Sequence, residues 1–276
     1  MPDLRVSVLG LGIIGAIWAR HYQEAGRLAA SWSRTPRPDA PGWKDAAREA
    51  ADAADAIHLC VYDPASVREV LAEIRPSLRS GQTVIQSSTI DPDSAEECAA
   101  AVRETGARYV EAPFTGSKPA AEEKQTVFFL GGEDEDIDAV DPLLSAVSRK
   151  RFRFATPRHA ATIKLAMNLQ ISAITEALCE GVSWSRAAGI ADEDFFGVLR
   201  ENVAWSRLAA LKEPKIRDGD FAPQFSVRNM HKDMKLAESS SPLELPALRL
   251  VRERLAAAEA AGLGDEDFLA LLRLLQ

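Results

Sequence analysis

The sequence predicts an α/β fold followed by an all-helical domain, and three observations carry that prediction. Short apolar runs alternate with helical periodicity through residues 4–154. The first run ends in glycines spaced for a tight strand-to-helix turn, and the chain beyond residue 159 reads as helix alone. Near-continuous apolar strands such as IHLCV at 57–61 belong to a doubly wound, mostly parallel sheet covered on both faces. The domains are placed at 1–158 and 159–276, with a long interdomain helix between them.

Bulk properties narrow the function classes. With 276 residues the chain can bury a large core in one or two domains. Hydrophobic content of 46% beside 27% charged residues describes a soluble globular protein. A net charge of −8 argues against a broad nucleic-acid surface. The N-terminus enters a strand at once, without a cationic segment or a long apolar one, so a cytoplasmic protein is expected. Cys60, Cys98 and Cys179 are odd in number and far apart, and four histidines are scattered. Neither a disulfide framework nor a metal cluster is expected from them.

The first strand, residues 4–9, runs into Gly10-Leu11-Gly12-Ile13-Ile14-Gly15 and then into helix 16–26. This is G-x-G-x-x-G at the first βα junction, the dinucleotide fingerprint of a Rossmann-type sheet. Gly10 serves the tight turn, Gly12 the approach of backbone to a pyrophosphate, and Gly15 the packing of helix on strand. The helix N-terminus offers its free N–H groups and positive dipole to the phosphates. A second strand at 28–33 ends in Ser33-Arg34-Thr35. An NAD site usually carries Asp or Glu here, yet the first acid is Asp39, beyond Pro36 and Pro38. Arg34, with Arg37, suits a 2′-phosphate, so NADP (NADPH) is expected over NAD.

Alternation continues with helix 45–55, strand 57–61, helix 64–78, strand 83–86 and helix 93–105. Strands 108–112, 126–130 and 151–154 follow, and the acidic run 132–138 reads as solvated surface. Ligands in such sheets bind outside the carboxyl ends of the strands. The loops there are Val61-Tyr62-Asp63, SSTIDP at 87–92 and EAPFTGS at 111–117. Thr115-Gly116-Ser117 offers two hydroxyls and accessible N–H groups, a nest for a carboxylate, although an ordinary turn has the same composition.

Helix 160–189 is apolar or small around most of its circumference up to Thr175, which predicts burial nearly all round. Lys164 is the only formal charge in that stretch, and Asn168 lies one turn later on the same face. A lysine there either snorkels to solvent or has a task that offsets its desolvation. Lys164, Asn168, Gln170, Glu176 and Glu180 interrupt the apolar run, so the helix is not a membrane span. Helices are expected at 192–201, 205–212, 227–238, 246–261 and 265–274, around an irregular stretch at 219–223. A helical lobe of this kind buries its remaining apolar surface against a second copy, as a homodimer or homotetramer.

With these motifs in order, the chain resembles the β-hydroxyacid dehydrogenase family, which includes 3-hydroxyisobutyrate and 6-phosphogluconate dehydrogenases. The resemblance rests on GLGIIG at 10–15, SSTIDP at 87–92, EAPFTGSKPAAEEKQ at 111–125, Lys164 and Asn168 in K-x-x-x-N, Lys232-Asp233 and the tail AAGLGDEDFLALLRLL. Its glyoxylate/succinic semialdehyde reductase branch, which uses NADPH, is the most similar. The resemblance implies that Lys164 is the catalytic acid/base and that Asn168 holds the substrate or the lysine. It implies that Thr115, Gly116 and Ser117 hold a substrate carboxylate and that Phe225 and Asp233 line the substrate side. Ser33, Arg34, Thr35, Val61, Tyr62, Thr89 and Lys232 would then join the glycine loop at the cofactor. Thr115 stands where the family usually has Ser, and Arg158 and Ala160 replace two glycines before the lysine. These bulkier side chains would either alter the approach of backbone to the cofactor or, at Arg158, add a cation near an anionic substrate. The expected chemistry is hydride transfer on a small semialdehyde or 2-keto acid. The alternatives are an imine reductase, against which Lys164 argues, and a silent NADP-binding module.

Overall fold

A computed structural model describes residues 4–275. The chain divides into two compact units, one ending at Lys164 and the other starting at Leu165. The first holds β1 (Val6–Leu9), α1 (Ile13–Glu24), β2 (Leu28–Trp32), α2 (Ala47–Asp52), β3 (Ala56–Leu59), α3 (Pro64–Ile74), β4 (Thr83–Gln86) and α4 (Pro92–Arg103). It continues through β5 (Arg108–Glu111), β6 (Phe114–Thr115), α5 (Lys118–Glu122), β7 (Thr126–Gly131), α6 (Asp134–Leu144) and β8 (Ser148–Phe154). The sheet order is β2-β1-β3-β4-β5-β7-β6, with β8 also paired to β7. β2 through β5 are mutually parallel, whereas β7 runs antiparallel to β5 and β6. The order reverses at β1, so the glycine turn sits at the topological switch point.

Both faces of the sheet are covered. Leu9, Ile57, Leu59 and Val84 pack with α2, α3 and α4 on one side. Val8, Ile85, Val110 and Leu130 pack with Trp18, Tyr22 and Ile137 on the other. Asp63 and Asp91 cap α3 and α4, accepting from the backbone of Ser66 at 2.8 Å and Ser94 at 2.9 Å. The acids of the run at 132–138 are mostly solvent-exposed, as expected, and they open a helix, α6, that the sequence reading did not place. Its acids lie in the first turn, where the helix dipole favours them, while Ile137, Val140, Leu143 and Leu144 are buried. Pro142 inside the helix hides that periodicity.

α7 (Pro157–Ala187) begins against the sheet. A Cβ on Gly131 would lie 2.3 Å from the Thr156 carbonyl and 2.8 Å from Cβ of Ala160. The end of β7 and the first turn of α7 therefore touch backbone to backbone. The expected all-round burial of α7 does not hold, because Thr162, Ala166, Met167, Gln170 and Ile174 are exposed. Small and apolar composition there marks one open stripe as well as the buried faces.

The second unit adds α8 (Asp192–Glu201), α9 (Arg207–Asp218), α10 (Val227–Ser240) and α11 (Pro246–Ala260) around Leu178, Val182, Phe196, Met234 and Leu255. α9 runs to Asp218, past Pro214. The expected last helix is instead a 3-10 helix, Phe268–Leu275. Asp267 takes the place of an α-helical start: its carboxylate accepts from the Leu269 backbone at 3.0 Å and from Lys212 Nζ at 2.6 Å. Among the described residues no helix is long and apolar enough to cross a membrane.

Gly131→Ala should lower stability by about 2 kcal/mol, since backbone rather than a flexible side-chain end has to yield. A fall in the thermal midpoint by calorimetry checks this, and an unchanged midpoint would contradict the close packing.

Candidate active site

The glycine turn separates into parts the fold needs and a part it does not. Gly10 has φ +107°, and a Cβ there would lie 2.2 Å from the Cys60 carbonyl. One on Gly15 would lie 1.9 Å from the Gly10 carbonyl. At Gly12 a Cβ would have no neighbour within 4 Å, so internal packing does not demand that glycine. It leaves clear ground in front of α1, where no side chain caps the helix and no acid occupies the first turn. Leu11 and Ile14 turn inward, while Ile13 is exposed. An uncapped N-terminus with open ground before it fits the pyrophosphate of a dinucleotide.

Beyond β2, Ser33 Oγ donates to the Thr35 carbonyl at 2.6 Å and closes a small turn around Arg34. The Arg34 guanidinium is exposed and lies 3.6 Å from Glu69 of α3, which is exposed as well. An exposed pair of this kind holds its cation weakly, so a 2′-phosphate could take Glu69's place.

The loops after β3, β4 and β5 are tied together from below. The Val61 N–H donates to Ser88 Oγ at 2.9 Å. The Gln86 side chain grips Ser88 twice, accepting from its N–H at 2.5 Å and donating to its carbonyl at 3.0 Å. Gln86 also donates to Glu111 Oε1 at 2.9 Å, and Tyr109 donates to Glu111 Oε2 at 2.6 Å. Burial pushes the Glu111 carboxyl up to about 8, against the two donors that hold it. A second buried chain joins Tyr22 to His58 Nδ1 at 3.2 Å, His58 Nε2 to Ser87 at 2.8 Å, and Ser87 to the Ala112 carbonyl at 2.7 Å. Burial lowers His58 to about 3, and Trp18 stacks on it at 4.8 Å. A neutral ring can accept from Tyr22 while donating to Ser87. Tyr62 and Thr89 sit on top of these ties, Tyr62 half exposed.

Lys164 is 8% exposed, and its Nζ lies 5.8 Å from the Phe114 ring centroid. Phe114 is held edge-on against Trp18 at 4.9 Å and begins the strand that leads into Thr115, Gly116 and Ser117. Gly116 has φ +116°, so the turn after Thr115 is strained for any other residue. The lysine and the 115–117 segment are therefore neighbours through Phe114. The Arg158 guanidinium donates to Asp93 at 2.5 Å and its N–H to Glu96 at 3.1 Å, an exposed pairing with the acids of α4. Ala160, the other replacement, packs its methyl against Gly131, Val127 and Phe129.

In the second unit Asp233 is fully buried on α10. Asn168 Nδ2 donates to its Oδ2 at 2.6 Å, and Lys232 Nζ lies 2.8 Å from its Oδ1. One carboxylate thus sets the aim of Asn168 and balances Lys232. Phe225 is held elsewhere, by Asp267: its N–H and that of Gln224 point to Asp267 Oδ2 at 3.4 and 2.9 Å. Sequence reasoning placed Ser88 and Glu111 in the ligand-side loops but not their supporting roles, and it missed Gln86, Lys212 and Asp267. A polar residue closing an apolar strand, as in TVIQ and RYVE, was the available signal for Gln86 and Glu111.

Comparison with known proteins places the family and the fold. Residues 5–156 match the NAD binding domain of 6-phosphogluconate dehydrogenase. Residues 159–275 match the NAD-binding domain of NADP-dependent 3-hydroxyisobutyrate dehydrogenase. Glyoxylate/succinic semialdehyde reductase 2 of Arabidopsis thaliana is 25% identical over 100% of this chain and 80% of its own length. Reductase 1 of the same plant is 24% identical over 98% of this chain and 97% of its own. The crystal structure of a 3-hydroxyisobutyrate dehydrogenase from Salmonella typhimurium superposes with a TM-score of 0.88 at 27% identity, covering 99% of this chain and 100% of that one.

Glu111 makes stability depend on pH with a definite sign. Unfolded, its carboxyl ionises at its ordinary 4.5, but folded it keeps its proton to about 8. Across that window the folded chain holds a proton the unfolded chain has released, so stability falls as pH rises. Glu111→Gln should match the parent near pH 4.5 and melt progressively higher than it towards pH 8. Parallel melting curves at all pH values would remove the buried neutral acid.

Proposed function

This chain belongs to the β-hydroxyacid dehydrogenase family of NAD(P)-dependent oxidoreductases, and from that premise we propose an NADPH-dependent enzyme with Lys164 as its general acid/base. Its substrates in this reading are a small semialdehyde or 2-keto acid and the matching hydroxy acid. The observation that carries the reading is the Lys164 amine, buried beside Phe114 at the root of the 115–117 turn.

Gly10, Leu11, Gly12, Ile13, Ile14 and Gly15 hold the pyrophosphate, with Arg34 between Ser33 and Thr35 at the 2′-phosphate. Val61, Tyr62 and Thr89 complete the cofactor side of the first unit, and the family resemblance gives Lys232 a cofactor role. When bound, the nicotinamide supplies or accepts the hydride. Thr115, Gly116 and Ser117 receive the substrate carboxylate through hydroxyl and N–H donors. As negative charge grows on the carbonyl oxygen, the Lys164 ammonium gives it a proton, and in the oxidative direction the amine takes that proton back. The Phe114 ring steadies the ammonium without accepting its protons. Asn168, its amide aimed by Asp233, acts one turn along the helix, and Phe225 lines the substrate side.

The preference for NADP over NAD is supported by the weakly held Arg34 and the absence of an acid after β2. The three cysteines are free thiols, as a cytoplasmic setting keeps them. The exposed stripe of Ala166, Met167 and Ile174 is where this reading seats a second copy in a homodimer or homotetramer.

NADPH consumption, followed by absorbance against glyoxylate, succinic semialdehyde, methylmalonate semialdehyde and a cyclic imine, tests the assignment. Turnover is expected on a carbonyl acid. Lys164→Ala should lower it by about 10²–10⁴ while NADPH still binds. Full activity in that variant ends the acid/base role, and turnover on the imine alone points to imine reduction. Arg34→Gln should weaken NADPH about tenfold and leave NADH unchanged, consistent with one lost charged contact.

A further inference from the structure

The buried chain running from Tyr109 to Val61 does more than fill the space between strands. Gln86 has one amide with three protein partners, and only one orientation satisfies all of them. Its Nε2 serves Glu111 Oε1 at 2.9 Å and the Ser88 carbonyl at 3.0 Å, and its Oε1 takes the Ser88 N–H at 2.5 Å. Turning the amide over would set its oxygen against the Ser88 carbonyl and its N–H₂ against the Ser88 N–H, and would take the donor away from Glu111 Oε1. Ser88 in turn holds the Val61 N–H at 2.9 Å. We propose that Glu111 and Gln86 are positioning residues for the cofactor loops: Glu111 fixes which way the Gln86 amide faces, and Gln86 thereby fixes the backbone of Ser88 and the loop after β3.

Two further observations support this. Glu111 is fully buried, and burial holds its carboxyl far above the ordinary range, so it costs stability at neutral pH. An apolar side chain there would avoid that cost but leave the Gln86 and Tyr109 donors unpaired, so an acid at this position fits a role in aiming its neighbours. Its other oxygen is pinned by Tyr109 at 2.6 Å, which leaves Oε1 directed at Gln86. The acids of α4 that face the same region, Glu96 and the capping Asp91, carry only acceptors when ionised and do not replace Gln86 as a donor to Glu111.

The inference rests on the reading that Val61, Tyr62 and Thr89 touch the cofactor, and the test keeps the two apart. NADPH dissociation constants are measured by fluorescence on the full-length protein, with thermal midpoints alongside. The parent, Glu111→Leu, Glu111→Gln and Ser88→Ala are compared. Glu111→Leu and Ser88→Ala should weaken NADPH about five- to tenfold, the size of one well-made hydrogen bond. The KM for the carbonyl substrate should move little. Glu111→Gln, whose amide oxygen still accepts from Gln86, should restore most of the affinity that Glu111→Leu loses. Parental affinity in a folded Glu111→Leu protein, or Glu111→Gln as weak as Glu111→Leu, overturns the inference. If Glu111→Leu fails to fold, parental affinity in Ser88→Ala overturns it instead. A parent that does not bind NADPH overturns the functional reading beneath it.

Discussion

Parallel strands that stop along a common edge leave backbone groups with no further ladder to join, and this protein completes that edge with side chains. Past β3, β4 and β5 the ladder is continued by Ser88 on Val61, by Gln86 on Ser88 and by Ser87 on the Ala112 carbonyl. The Gln86 and Ser87 ties are buried, so leaving one of those unpaired would cost about 1–3 kcal/mol, while the Val61–Ser88 tie is part-buried. The edge is therefore rigid where a loop would otherwise be mobile. The segments it presents, around Tyr62, Thr89 and Thr115, inherit that rigidity. A hydride donor and a carbonyl have to meet within a few tenths of an ångström, and loops fixed from beneath are suited to that.

The same economy of space governs the close contacts of the first unit. Gly10, Gly15 and Gly131 let backbone lie on backbone where any side chain would collide with a carbonyl. Gly131 does for the entry of α7 what Gly15 does for α1: it brings a helix start directly onto a strand end. Ala160 at that contact shows why a small residue other than glycine serves there, since its methyl fills the gap above Gly131. Gly12 stands apart from these three because, among the described residues, nothing lies within 4 Å of where its Cβ would be.

The second unit relies on buried carboxylates instead. Asp267 gathers the Lys212 amine and the N–H groups of Gln224, Phe225 and Leu269, and so shapes the turn before α10 and the 3-10 helix at the end. Asp233 gathers Asn168 and Lys232. Removing one partner from such a pair leaves a buried charge uncompensated, which is why each also holds its neighbours in one geometry.

Much of the architecture was legible before any coordinates. Periodicity of two and of 3.6 is a local property, so β4 at Thr83–Gln86 and α8 at Asp192–Glu201 match their expected bounds, and the long helix with Lys164 and Asn168 matches closely. The glycine spacing likewise announces its turn because backbone sterics act over a few residues. Where a local signal was masked, as by Pro142 in α6, the element was lost. What only the tertiary structure decided is which distant polar groups meet. That Arg158 spends its charge on Asp93, that Glu111 answers Gln86, and that Asp267 replaces a helix start with a 3-10 turn depend on partners tens of residues away. For the Glu111–Gln86 and Asp267–Lys212 meetings burial sets the energy, and burial belongs to the folded chain as a whole.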